Sequence, residues 1–225
     1  MTKLFDRKPH RVTLFAGHYG SGKTTAAVNY ALWLKAQGHD TAIADLDIVN
    51  PYFRTRDSLD ALSAAGVRLI ASPFAGSNVD APALPGEAYA VVEDTSLHAV
   101  IDVGGDDRGA LALGRYVPAI KDEGDYDFLC VINRFRPLTQ DADSTIEVLR
   151  EIETACKLPF TGICACSNLG DLTSAEDIIA SQAYTQEVAE KMGLPIVMTC
   201  VPAHLIDQLE GMENIFPIRH RTKFI

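Results

Sequence analysis

Residues Gly17, His18, Tyr19, Gly20, Ser21, Gly22, Lys23 and Thr24 spell G-x-x-x-x-G-K-T, a spacing that can gather the phosphates of a nucleotide. The glycines let successive backbone N–H groups turn inward as an anion nest. A helix opening at the lysine adds the positive end of its dipole. Lys23 then reaches the β- and γ-phosphates, the Thr24 hydroxyl ligates Mg²⁺, and Thr25 completes the expected nucleotide-binding set.

Binding alone is not chemistry, and two further segments supply carboxylates. Asp45 and Asp47 lie in Ile43-Ala44-Asp45-Leu46-Asp47-Ile48-Val49-Asn50. They share a face if the strand runs that far, one placed to orient a metal-bound water and the other the attacking water. Asp102 ends the apolar run Ala99-Val100-Ile101 and is followed by Val103, Gly104 and Gly105, the pattern of a carboxylate that supports Mg²⁺ from a strand tip. Taken singly, each aspartate reads as a turn cap; the upstream loop selects the functional reading. The expected catalytic set is Lys23, Asp47 and Asp102, and the expected metal set Thr24, Asp45 and Asp102.

These residues need a scaffold that brings strand ends together. Apolar runs at 12–16, 41–46, 67–71, 99–103, 128–133, 162–167 and 196–201 alternate with helical patterns at 23–37, 111–121, 140–156 and 174–192. That alternation predicts an α/β fold of three layers, a mostly parallel sheet covered by helices on both faces. Open sheets of this kind hold ligands at the carboxyl ends of their strands, where the loop and all three aspartates fall. The helix at 174–192 opens with a capping-box pattern at Thr173-Ser174-Ala175-Glu176 and ends before Gly193 and Pro195. Residues 72–86, with three prolines and two glycines, read as a surface loop near the nucleotide. No linker divides the 225 residues, so one nucleotide-binding domain is expected, with 211–225 as a docked tail.

Composition narrows the partners. A formal net charge of −10 opposes non-specific attraction to nucleic acid or anionic lipid. No apolar stretch approaches the roughly 18–20 residues that span a bilayer. Lys3, Arg7, Lys8 and Arg11 precede a short strand rather than a signal-peptide core, and with nucleotide chemistry this predicts a cytoplasmic location. Of the five cysteines, Cys130, Cys156, Cys164, Cys166 and Cys200, most fall in strands as small buried thiols. Cys164 and Cys166 share a strand face, but their spacing is not C-x-x-C and no further ligand follows at metal-binding distance.

On these motifs the chain resembles the MinD/ParA class of P-loop ATPases, which includes the nitrogenase iron protein. The loop aligns with that family's G-K-G-G-x-G-K-[ST], and Asp45-Leu46-Asp47 with its D-x-D. Ile163-Cys164-Ala165-Cys166-Ser167-Asn168 and then Val201-Pro202 resemble its base-reading strand and proline loop. The likeness runs from about residue 11 to 210. It implies ATP and Mg²⁺ as cofactors, Asn168 and Pro202 at the adenine, a nucleotide-dependent homodimer, and a switch acting on a protein partner in assembly or maturation. His18 departs from the pattern, standing where the family has a lysine that reaches the partner's phosphates, and Tyr19 stands where glycine is usual. Histidine is only partly charged near neutral pH. Arg54 or Arg56 is a candidate to replace the missing charge.

Other functions share these motifs. A GTPase of the metal-chaperone or GPN-loop kind would use the same loop, yet Asn133-Arg134-Phe135-Arg136 lacks the aspartate of N-K-x-D. An ATP-dependent ligase of the cobyrinate amidase or dethiobiotin synthase kind would turn over only with its acceptor. A nucleotide-dependent localisation module would use the basic, apolar segment 215–225, although Pro217 interrupts any amphipathic helix there.

Overall fold

The computed structural model describes residues 2–46, 56–71, 91–104 and 113–219. The first apolar run forms β1 (Val12–Ala16), buried at every position. It is followed by α1 (Lys23–Ala36), β2 (Thr41–Asp45), α2 (Arg56–Ala64), β3 (Arg68–Ala71) and β4 (His98–Asp102). Next come α3 (Val117–Glu123), β5 (Tyr126–Ile132), α4 (Ala142–Cys156), β6 (Gly162–Ala165), α5 (Ala175–Ala180), α6 (Gln182–Met192), β7 (Ile196–Pro202) and β8 (Ile215–Ile218). Among the described residues the eight strands form one sheet in the order β3-β2-β4-β1-β5-β6-β7-β8, with every pairing there parallel. Sequential strands leave β1 in opposite directions, β4 on one side and β5 on the other. The first loop therefore emerges at the switch point where such sheets open a crevice.

Alternation along each strand divides the core into two layers. Phe15, Ile43, Val100, Leu129, Val131, Cys164 and Met198 pack with Ala27, Tyr30, Ala31 and Leu34 of α1. On the opposite face Leu14, Ala44, Ile101, Phe128 and Ile132 pack with Ile120, Leu149 and Val188 of α3, α4 and α6. This is the three-layer α/β arrangement expected from the alternating pattern.

Helix ends follow local chemistry. Asp141 caps α4 by accepting from the Ser144 N–H at 2.9 Å. Ser174 and Asp177 form a reciprocal capping box on α5, so the acidic partner is Asp177 rather than Glu176. The expected continuous helix 174–192 is broken at Ser181. That hydroxyl donates to the Asp177 carbonyl at 2.7 Å, and such back-bonding bends a helix away from its ladder. Among the described residues α3 begins at Val117 with a proline in its first turn, later than the 111–121 expected; residues 111 and 112 lie outside the description.

The lower end of the sheet is fastened by Arg11, which pairs with Glu123 and donates to the carbonyls of Val91 at 3.1 Å and Leu97 at 3.2 Å. Nearby, the rings of His39 and His98 lie 4.1 Å apart. At the β8 edge, Leu4 bridges Ile215 in parallel, with Phe5 N–H donating to Ile215 O at 2.8 Å and Ile215 N–H to Lys3 O at 3.1 Å. Phe5 packs edge-on against Trp33 and Phe216. β8 lies inside the stretch read from sequence as an extended tail; residues 220–225 fall outside the description. Among the described residues no helix is long and apolar enough to cross a membrane.

Candidate functional site

The loop between β1 and α1 takes its shape from two glycines with positive φ. Gly20 has φ +74° and Gly22 φ +101°, values that L side chains adopt only with strain. Space forbids side chains as well. A Cβ on Gly17 would collide with the Val131 carbonyl oxygen, and one on Gly22 would stand 2.6 Å from Cys166 Sγ. Strand β5 and the segment after β6 thus press on the loop from behind. Helix α1 then starts at Lys23, its first amides pointing back into the loop.

Lys23 is buried at 7% exposure and donates to the His18 carbonyl at 3.2 Å. Thr24 Oγ1 donates to Asp102 Oδ2 at 2.6 Å, joining the start of α1 to the tip of β4 across 78 positions of sequence. Asp45 and Asp102 are register partners on adjacent strands, both buried. Two neighbouring carboxylates in so dry a place favour a cation between or beside them. Thr24, Asp45 and Asp102 offer only hard oxygen donors, the chemistry that suits Mg²⁺. Among the described residues, His18 Nδ1 and Ser21 Oγ are buried polar atoms without a hydrogen-bond partner. Two such orphans on one loop are what an anion cradle leaves when its ligand is not counted. Tyr19, 60% exposed, stands at the outer rim.

The loop leans on its neighbours. Arg136, three residues beyond Asn133 at the end of β5, donates through Nε to Gly20 O at 2.7 Å. Asn133, fully buried, accepts from Phe135 N–H at 3.0 Å and donates to Asn168 O at 3.2 Å. Asn168 in turn donates to Cys166 O at 2.7 Å and accepts from Gly170 N–H at 3.1 Å, with its Nδ2 beside Gly22. Asn168 therefore belongs to the loop's surroundings, while its carboxamide is engaged in shaping its own turn. Pro202 ends β7, one strand further along the sheet. Asp47, Arg54 and residues 72–86 lie outside the described residues, as does the side chain of Arg56.

Cys164, Cys166 and Cys200 gather behind the loop, with Cys164 Sγ 3.5 Å from Cys200 Sγ. The Cys166 thiol is held well above its ordinary pKa by hydrogen bonding with Cys200 and by burial, which keeps it protonated. Among the described residues no three His, Cys, Asp or Glu side chains group as a metal site. A cavity of about 540 Å³ opens elsewhere, between β6, β7 and α6, lined by Ser167, Gln182, Thr199 and Asn214 among others and by no residue of the loop. The chemistry-bearing groups are at the loop, not in this cavity.

Sequence reasoning missed Arg136. Its signal was present in Asn133-Arg134-Phe135-Arg136, but as an absent aspartate rather than as a cation 116 positions from Gly20.

No family model matches the chain, and no curated protein matches it. Solved structures do. FtsY from Mycoplasma mycoides is 17% identical over 92% of this chain and 66% of its own, with a TM-score of 0.54. FtsY from Thermotoga maritima is 21% identical over 98% of this chain and 68% of its own, with a TM-score of 0.56. The signal recognition particle 54 kDa protein of Aeropyrum pernix, solved in complex with GDP, is 18% identical over 87% of this chain and 42% of its own, with a TM-score of 0.52. This chain spans about two thirds of these FtsY structures and less than half of the third. At such identities the likeness shows the fold: the chain has the three-layer α/β fold of P-loop NTPases.

Proposed function

We propose that the chain binds a magnesium nucleoside triphosphate on loop 17–24, hydrolyses it, and uses the cycle as a switch acting on a protein partner. ATP is the nucleotide in this reading, and a MinD/ParA-like ATPase the class. The observation that carries it is the 2.6 Å contact between Thr24 and Asp102, which brings the candidate metal hydroxyl and the candidate metal carboxylate together at the mouth of the loop. Amides of residues 20–24 and Lys23 would hold the β- and γ-phosphates. Thr24 and Asp102 would hold Mg²⁺, with Asp45 orienting its water; that ion, when bound, neutralises charge developing on the phosphates. Asp47 would orient the attacking water. Asn168 and Pro202 would flank the base, and a nucleotide-dependent homodimer in the cytoplasm follows from the same class, weakened by His18.

GTP is the second reading, favoured by the GDP complex of a protein with the same fold. Against it stands Arg136, a cation where the guanine-gripping aspartate of N-K-x-D would be. Thermal unfolding with MgATP, MgGTP and MgADP, for wild type and Lys23→Ala, decides between them. Ligand at about 100-fold its dissociation constant stabilises by ~2.7 kcal/mol. A shift with ATP that Lys23→Ala abolishes is expected, whereas a shift with GTP alone overturns the base assignment. Asp47→Ala should keep binding and lose turnover.

A further inference from the structure

We propose that Arg136 is a nucleotide-positioning residue, the cation that supplies from within the same chain a second positive charge beside Lys23. This rests on the nucleotide reading above. Its Nε holds Gly20 O at 2.7 Å. A Cβ placed on Gly20 would lie 3.3 Å from that nitrogen and 3.5 Å from the guanidinium carbon. The guanidinium is thus laid over the loop at its glycine turn.

Its base is stiff. Arg136 N–H donates to Asn133 O at 3.3 Å, and Thr139 N–H to Arg136 O at 3.0 Å. Thr139 Oγ1 closes the turn on Asn133 O at 2.7 Å. The Asn133–Asn168 bond ties that turn to the end of β6. A side chain so anchored pays little of the ordering cost that a long surface arginine would.

Its charge has no protein destination among the described residues. Arg7 pairs with Asp127 and Arg11 with Glu123, but no described carboxylate lies within ion-pairing distance of Arg136, and its two terminal nitrogens make no hydrogen bond to described residues. Guanidinium stays protonated at all working pH and suits phosphate oxygens bidentately. A cation fixed to the turn that must cradle a triphosphate is therefore placed for that ligand.

The test measures dissociation constants of MgATP, MgADP and magnesium tripolyphosphate by titration calorimetry, with apo melting temperatures, for wild type, Arg136→Gln, Arg136→Lys and Lys23→Ala. Arg136→Gln should lose about tenfold or more for ATP and for tripolyphosphate, less for ADP, and Arg136→Lys should recover part of it. Equal weakening of all three ligands, or a lower apo melting temperature with unchanged affinities, would make Arg136 a structural fastener and overturn the proposal. Weakening for ATP with tripolyphosphate untouched would place it at the base and overturn it too. Wild type that binds none of the ligands would fell the nucleotide reading itself, whereas wild type that binds and Arg136→Gln that binds equally well would fell only this proposal.

Discussion

Gly22 carries two constraints at once: a φ of +101° and a Cys166 sulfur 2.6 Å from where its Cβ would sit. Left-handed backbone costs an L residue about 1–2 kcal/mol, and the contact adds to it. Gly22→Ala should therefore lower stability and abolish nucleotide binding. The double variant Gly22→Ala with Cys166→Ala should regain part of the stability, because the sulfur is removed, but not binding, because the dihedral remains. Melting temperatures and calorimetric titration of both variants check this; full recovery of binding in the double variant would put the whole constraint on the sulfur. The loop was legible in sequence because G-x-x-x-x-G-K-T is a local spacing, with every group within eight residues. Arg136 and Cys166 were not, because what makes them matter is a contact over more than a hundred positions. Asn168 was singled out through the family resemblance alone, and its hydrogen bonds to Cys166 and Gly170 could not be read from its residue type.

Strands and helices were legible wherever apolar runs were long and bounded. The break at Ser181 was not, because one hydroxyl bonding back to Asp177 changes the helix without disturbing its hydrophobic period. The parallel strand at Ile215–Ile218 was hidden by Pro217, which sheets tolerate at an edge. At the foot of β2 and β4, the tilted, closely packed rings of His39 and His98 bring a pH dependence of their own. Burial, and then the charge of His39, hold the His98 pKa below 6.5, with Asp125 pulling it up and Arg11 adding a smaller push down. The unfolded chain then takes up the proton more readily than the folded one. Stability should be full above about pH 6.5 and fall as pH drops from there through the lower folded pKa. Urea midpoints across that window should decline in wild type and flatten in His98→Gln; parallel curves would show that the pair does not couple to folding.

At the scale of the molecule, the sheet is finished by its own first residues. Phe5, 8% exposed, meets Tyr30, Trp33 and Phe216, and truncating a buried aromatic of this kind costs about 3–5 kcal/mol. Deleting residues 2–5 should lower the urea midpoint accordingly and, by baring the β8 edge, promote concentration-dependent association. An unchanged midpoint with no association would show the segment to be ornamental. The pairing of Leu4 with Ile215 also sets an order of events during synthesis. A ribosome releases the segment near residue 4 some two hundred residues before its partner strand emerges, so that flank stays unsealed until translation has passed Ile215. Nascent chains halted upstream of that strand should be the ones that chaperones hold longest.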